Sequence, residues 1–220
     1  MAGYYPVTIA ITDDGFVRTV VSRSADRFKQ LNGARPRIMT SPPKGAPAGI
    51  HPAYYKAWLW DVVPDDVDRI MFIDYDMVPV KALGDLPDCA FAAVQAHASL
   101  QPAMDVYPFF RKSKIYFNTG LFLAHRSTRP IFEQLKAFAS AHPTLLNQRD
   151  QPIFNMIVQQ HVDVTLLPDE LNYQITAGPK HVPDPKMVHV NAIGDQRWNV
   201  MALLLSVLEG NSGSAADHQE

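Results

Sequence analysis

The sequence predicts an α/β fold, a single domain built on a Rossmann-like mixed sheet flanked by helices. Two patterns carry this expectation. Apolar strand-like runs alternate with helix-like stretches along most of the chain, an order that yields layered α/β domains. Ile70 to Ile73 is also continuously apolar, the mark of a strand buried on both faces of an inner sheet. The length agrees, since 220 residues fit one such domain or two small ones.

Val7 to Thr12 alternates and is rich in β-formers, so a first strand runs to Asp13-Asp14-Gly15. Val17 to Leu31 carries a helical pattern stopped by Asn32-Gly33. Pro36 to Thr40 is a short strand. Ser41 to Pro52 holds four prolines and two glycines and must be a loop. Ala53 to Val63 has apolar and aromatic residues at helical spacing before Pro64. The Arg69 to Ile73 strand follows, then Phe91 to Gln95. Residues 97–114, with Tyr107, Phe109, Phe110, Arg111 and Lys112, form a long irregular stretch of the kind that serves as a lid or acceptor wall. Tyr116 to His125 reads as a strand interrupted at Asn118-Thr119-Gly120. Ile131 to Ala141 and Gln151 to Gln160 are helices, and Val164 to Leu167 and Met187 to Val190 are strands. Asn199 to Glu209 is a last, very apolar helix that either closes the core or meets a second copy, a possible homo-oligomer contact. The domain spans residues 1–209, and 210–220 read as a disordered polar tail. No internal repeat is visible.

Composition narrows the function classes. The chain is 47% hydrophobic and 19% charged, ordinary for a protein with a real core. Its net charge of −2 offers no basic footprint, so nucleic acid is not an expected partner. No run approaches the roughly 20 apolar residues of a membrane helix. The N-terminus lacks signal-peptide features, and the single cysteine, Cys89, fits a reducing compartment. A soluble cytoplasmic protein is expected.

Chemistry concentrates where the apolar run ends in Asp74-Tyr75-Asp76. Ligands of α/β sheets collect at the carboxyl ends of strands. Two carboxylates there require a counter-charge, most simply a divalent cation with oxygen ligands, Mn²⁺ or Mg²⁺. The plainer reading is a strand followed by a turn that uses Asp for its turn chemistry.

From this point a series of segments, in order over roughly residues 7–198, resembles the nucleotide-sugar glycosyltransferases of the A-type fold, specifically the glycogenin-like glycosyltransferase family 8. They are Thr12-Asp13-Asp14-Gly15-Phe16, Lys56, Asp74-Tyr75-Asp76, Phe117-Asn118-Thr119-Gly120, Asp150-Gln151 with Asn155, Leu167-Pro168 with Asn172, and His189.

The resemblance implies transfer of a hexose from a nucleotide-diphosphate sugar, foremost a UDP-sugar, to a hydroxyl of a glycan, protein or small-molecule acceptor, with retained anomeric configuration. It implies Asp74, Asp76 and His189 as metal ligands. Ile11, Thr12, Asp13, Phe16, Lys56, Asp74, Tyr75, Asp76, Asn118, Thr119 and Gly120 would contact the donor, Phe16 by stacking on the base. Gly120 would let backbone approach the sugar, and Asn118 would pair with sugar hydroxyls. Asp150 and Gln151 would lie under the donor sugar, the neutral Gln151 amide stabilising an ion-pair-like transition state. The family's Lys-Pro-Trp is Gln196-Arg197-Trp198 here, so Arg197 would replace the lysine as a diphosphate clamp. Asn147 stands where some relatives carry a carboxylate. Tyr75 replaces the commoner alanine of Asp-Ala-Asp and should face away from the metal if the strand alternates.

Each residue also has a plainer reading. Phe16 and His189 would be core residues, Lys56 a solvated helix lysine, and Asp14 or Asp150 helix N-terminal residues. Two other functions remain open on sequence alone. One is nucleotide-sugar binding without turnover, suggested by the altered Lys-Pro-Trp. The other is a haloacid-dehalogenase-type phosphatase, which also follows a strand with Asp-x-Asp, but opens its chain with that motif and continues it with Gly-Thr.

Overall fold

The computed structural model describes residues 3–96, 115–142, 150–175, 182, 184–191 and 194–214. The expected lid at 97–114, Asn147 and the end of the tail, 215–220, lie outside these. Six strands form the main sheet, in the order β2-β1-β3-β6-β5-β7. They are β1 (Tyr5–Ile9), β2 (Arg37–Met39), β3 (Arg69–Ile73), β5 (Phe91–Gln95), β6 (Phe117–His125) and β7 (Thr165–Leu167). β1 runs parallel to β2 and β3, β6 antiparallel to β3 and β5, and β7 parallel to β5. A smaller sheet joins β4 (Met77–Pro79), β9 (Met187–His189) and β8 (Tyr173–Gln174) in that order. The predicted mixed α/β architecture is the one observed.

Both faces of the main sheet are buried, as the apolar run requires. Phe72 stacks on Phe122 at 5.1 Å between ring centres, and Phe122 on Phe91 at 5.3 Å. Helices α3 (Arg129–Ala141) and α4 (Gln151–Val158) close that side through Phe132 and Phe154. Met71 and Ile73 point the other way, toward Phe28 of α1 (Gly15–Asn32) and Met77 of β4. Period-2 alternation places the residues of one strand on both sides.

Helix α1 starts where Asp14 accepts from the Phe16 and Val17 amides at 2.8 and 3.3 Å, a cap that satisfies otherwise orphaned donors. It ends at Gly33, whose φ of 83° suits glycine and whose N–H bonds to the Lys29 carbonyl. Ser24 and Arg27 of α1 are buried and donate to the Met77 and Pro79 carbonyls of β4 at 2.6 and 2.9 Å.

Several boundaries differ from expectation. The predicted helix over Ala53–Val63 is a 3₁₀ stretch, Pro52–Trp58, leading into a single α turn, α2 (Leu59–Val62). Tyr54, Tyr55, Lys56, Ala57 and Trp58 are all buried, so packing on every side decides its winding rather than one amphipathic face. β6 is not interrupted at Asn118-Thr119-Gly120. The Asn155 side chain accepts from the Phe117 N–H at 2.9 Å and donates to its carbonyl at 2.8 Å, completing the strand's backbone pairing there. Helix α5 runs Arg197–Ser214, beyond the expected end at Glu209. Its Met201 and Leu205 are buried, whereas Leu203 and Val207 face outward. Among the described residues, no helix is long and apolar enough to cross a membrane.

Candidate active site

β3 delivers Asp74 at its carboxyl end, where the Asp74 N–H still bonds to the Gly120 carbonyl of β6 at 2.7 Å. The chain then reverses in a tight turn closed by the Met77 N–H on the Asp74 carbonyl at 3.2 Å, and enters the small sheet as β4. The turn of the plainer reading is present, and it brings the two carboxylates to the junction of the sheets. His189 arrives from the far end of the chain because β9 pairs with β4, setting it opposite Met77. Its Nε2 lies 3.1 Å from Asp76 Oδ1 and 3.7 Å from Asp74 Oδ2. Ligand atoms of these three side chains all fall within 4.8 Å of one another.

The groups around this triad are engaged. Arg197, the first residue of α5, donates from NH1 to Asp76 Oδ2 at 3.1 Å and from Nε to the Gly194 carbonyl at 3.0 Å. Burial pushes the Asp76 carboxyl up, but His189 and Arg197 outweigh it and hold its pKa at about 2. Arg197 is the permanent cation of that pair, and the imidazole adds to it only with a proton on Nε2. Asp74 is shifted upward, first by burial and further by the neighbouring Asp76 charge.

Lys56 is not the solvated lysine of the plainer reading: it is 3% exposed. Its ammonium sits 3.1 Å from Asp74 Oδ1 and 2.9 Å from Asp150 Oδ2, and donates to the Thr119 carbonyl at 3.1 Å. Burial alone would lower its pKa; Asp150 and Asp74 reverse this and raise it. Asp150 precedes α4 without capping it. Its carboxylate instead accepts from Lys56 and from the Thr119 hydroxyl at 2.9 Å. Gln151 accepts the Thr119 N–H through Oε1 at 3.3 Å. The cluster holds two cations and three carboxylates, one net negative charge with a neutral His189.

Asn118 and Gly120 are engaged within the chain. Asn118 is buried, its Oδ1 accepting from the Gly120 N–H at 2.7 Å and from Asn172 Nδ2 at 2.8 Å, its Nδ2 donating to Gln174 Oε1 at 3.2 Å. Gly120 makes room for a ring: a Cβ there would lie 2.3 Å from His189 Cε1 and 2.7 Å from its Nδ1. Asn172, whose Oδ1 is 3.0 Å from His189 Nδ1, and Gln174 are site residues that sequence reasoning left without a role. Asn172 was visible only as part of the Leu-Pro…Asn pattern, and Gln174 carried no signal.

The loop after β1 is less tightly drawn in. Thr12 Oγ1 accepts the Asp14 N–H, the Asp13 carbonyl accepts from Arg18, and Ile11 packs against the main core. Phe16 is 48% exposed at the start of α1, so it is not core. Tyr75 turns from the triad and packs on Trp198 at 5.1 Å between ring centres, in one apolar cluster with Ala10, Val17 and Val21. Through that cluster the start of α1, the Asp-Tyr-Asp turn and the start of α5 form one wall.

A divalent cation fits these residues. Asp76 Oδ1 is buried without a hydrogen-bond partner, despite the nearby His189 nitrogen. Two oxygens and an imidazole suit Mn²⁺ or Mg²⁺. Neighbouring ligands of an octahedral ion at about 2.1 Å stand about 3.0 Å apart, close to the 3.1 Å between Asp76 Oδ1 and His189 Nε2.

Comparison with known proteins gives the same direction. The profile of glycosyl transferase family 8 matches residues 44–205. A glycosyltransferase involved in glycosylation of the major capsid of PBCV-1 superposes with a TM-score of 0.67 at 14% identity, over 91% of this chain and 98% of that one. The galactosyltransferase LgtC, solved with donor and acceptor sugar analogues, gives 0.60 at 15% identity, over 90% and 95%. Mouse xyloside xylosyltransferase 1 gives 0.55 at 12% identity, over 86% and 97%. At these identities the superpositions speak for the fold alone. No curated protein sequence matches the chain.

Proposed function

Because the chain belongs to glycosyltransferase family 8, and is thus a glycosyltransferase, we propose that it moves a hexose from a UDP-sugar to a hydroxyl acceptor, with metal dependence and retained configuration. The observation that carries this is the meeting of Asp74, Asp76 and His189 at the sheet junction, with Asp76 Oδ1 unpartnered. Those three residues would hold the cation, which when bound supplies Lewis-acid stabilisation to the departing diphosphate.

The chain's own groups account for the rest. Arg197, fixed on Asp76, presents a guanidinium at the site's edge as a second diphosphate counter-charge and stands in for the family's lysine. Lys56 ties Asp74 to Asp150, so the floor under the donor sugar and the metal carboxylates hold one arrangement. Gln151, with its oxygen on the Thr119 N–H, sets a neutral amide at the sugar's face, suited to an ion-pair-like transition state. Phe16 offers the base a stacking face, with Ile11, Thr12 and Asp13 beside it. The ordered motifs favour the glycogenin-like branch of the family, and the half-buried free Cys89 agrees with a cytoplasmic setting. The domain is taken as residues 1–209.

A second reading, donor binding without turnover, is favoured by Arg197 itself, which is already bonded to Asp76. Calorimetry with UDP, with and without Mn²⁺, tests what both share. UDP binding should require Mn²⁺ and vanish in Asp76→Asn; unchanged metal-linked binding in that variant rejects the assigned site. Turnover of a panel of UDP-sugars, with NMR of the product anomer, separates transfer from binding and retention from inversion.

A further inference from the structure

The Asn118, Asn172 and Gln174 side chains connect two backbone groups to His189, and each link has only one workable polarity. The Gln95 carbonyl can only accept, so the group facing it at 3.3 Å is the Gln174 Nε2 amide nitrogen. Gln174 Oε1 therefore faces Asn118 and takes a hydrogen from its Nδ2 at 3.2 Å. Asn118 Oδ1 then points the other way, onto the Gly120 N–H at 2.7 Å, a group that can only donate. Two independent backbone groups thus require the same orientation of the Asn118 amide. Its oxygen also receives Asn172 Nδ2 at 2.8 Å, which leaves Asn172 Oδ1 facing His189 Nδ1 at 3.0 Å. An amide oxygen has no proton to give, so that imidazole nitrogen must carry one. Asn118, Asn172, Gln174 and His189 are all buried, so a reversed amide would set like groups against each other at a cost.

We propose that Asn172, oriented by Asn118 and Gln174, is a positioning residue that holds His189 with a proton on Nδ1, so that Nε2 is the nitrogen turned toward Asp74 and Asp76. That nitrogen lies 3.1 Å from Asp76 Oδ1 and 3.7 Å from Asp74 Oδ2. The relay lets the chain enforce the metal-ready tautomer from backbone groups on β5 and β6, before any ligand binds. A carboxylate in the place of Asn172 could also accept from Nδ1, but only the amide gives Asn118 Oδ1 a hydrogen as well, and it adds no further negative charge to the cluster.

The purpose of the relay rests on the cation reading of the site, but the tautomer does not. Two-bond proton–nitrogen NMR of the uniformly labelled, metal-free chain reads it directly, with His189 assigned from the His189→Ala spectrum. Nδ1–H is expected; a ring protonated on Nε2 alone, the form imidazole prefers in water, overturns the proposal. Asn172→Asp keeps an oxygen opposite Nδ1 but has no hydrogen for Asn118 Oδ1, so it should keep the Nδ1 proton while lowering stability in urea unfolding. Asn172→Leu should move the proton to Nε2 and weaken Mn²⁺ by about 10- to 100-fold. A Leu variant unchanged in both readouts, or an Asp variant protonated on Nε2 alone, refutes the positioning role. Nδ1–H in a wild-type chain that binds no Mn²⁺ supports the relay and sinks the metal reading alone. The wild-type spectrum decides the tautomer even if a variant fails to fold.

Discussion

Replacing Gly120 with alanine is the sharpest single perturbation of the triad. The glycine lies in β6 with no positive φ, so backbone freedom is not the reason for it. Space is. A methyl there would sit 2.3 Å from His189 Cε1, where ordinary contact begins at 3.4 Å, so the ring must retreat by about 1.1 Å. Metal sites tolerate about 0.2 Å in ligand distance. Mn²⁺ affinity should therefore fall by at least the 10- to 100-fold typical of disturbed ligand orientation. Overpacking should also cost about 1–3 kcal/mol of stability. Calorimetric Mn²⁺ titration and urea unfolding read the two effects. A thermodynamic cycle then assigns the cause: in a His189→Ala background, where the ring is gone, Gly120→Ala should lose part of its stability cost, the remainder coming from Asn118 Oδ1 at 2.8 Å from the added methyl. If the cost is the same with and without the ring, or if Mn²⁺ affinity is unchanged, the steric argument is wrong.

Further expectations follow from the charges around the triad. Lys56→Met leaves Asp74 and Asp150 without their shared cation and should destabilise by about 3–5 kcal/mol, seen as a lower urea midpoint; a midpoint within error of wild type would mean the network contributes nothing. Asp76 has a pKa of about 2 against an ordinary 3.8. Its folded value is the lower one, so the ionised group stabilises fully above 3.8, and that contribution is lost as pH falls through 2. In metal-free protein the stability gap between wild type and Asp76→Asn should thus shrink by roughly 2 kcal/mol between pH 5 and pH 2; a gap that widens reverses the assignment. Phe16→Ala should weaken UDP binding and spare Mn²⁺ affinity, and equal UDP affinity would remove the ring from the base site. Arg197→Ala should lower turnover by roughly 10²-fold, and wild-type rates would show that the guanidinium does not meet the diphosphate.

What the sequence disclosed and what it concealed divide along physical lines. The Ile70 to Ile73 run and the acids after it were legible because burial on both faces and charge at a strand end are local patterns. His189 was legible only through resemblance: Asp74 and Asp76 are more than a hundred residues away and meet it through β4–β9 pairing. Two-residue β8 was missed because nothing so short has a period. The 3₁₀ winding of Pro52–Trp58 was missed because contacts on every side overrule propensity. The break expected at Asn118-Thr119-Gly120 assumed that Asn and Gly mark turns, whereas here they serve a neighbouring ring and an amide chain. Lys56 illustrates the same limit: a helix lysine gives no sign of burial until Asp74 and Asp150 are seen around it.

The way α1 lies along β4 governs how the molecule behaves among its own copies. The outward-facing main-chain groups of that border strand are all occupied. Met77 gives its N–H to Asp74 and its carbonyl to Ser24; Pro79 has no N–H, and its carbonyl goes to Arg27. A foreign strand approaching there finds neither donor nor acceptor, so this margin cannot template aggregation. Removing Ser24 and Arg27 would reopen it, and oligomers growing outward from β4 are the failure to look for in such a protein.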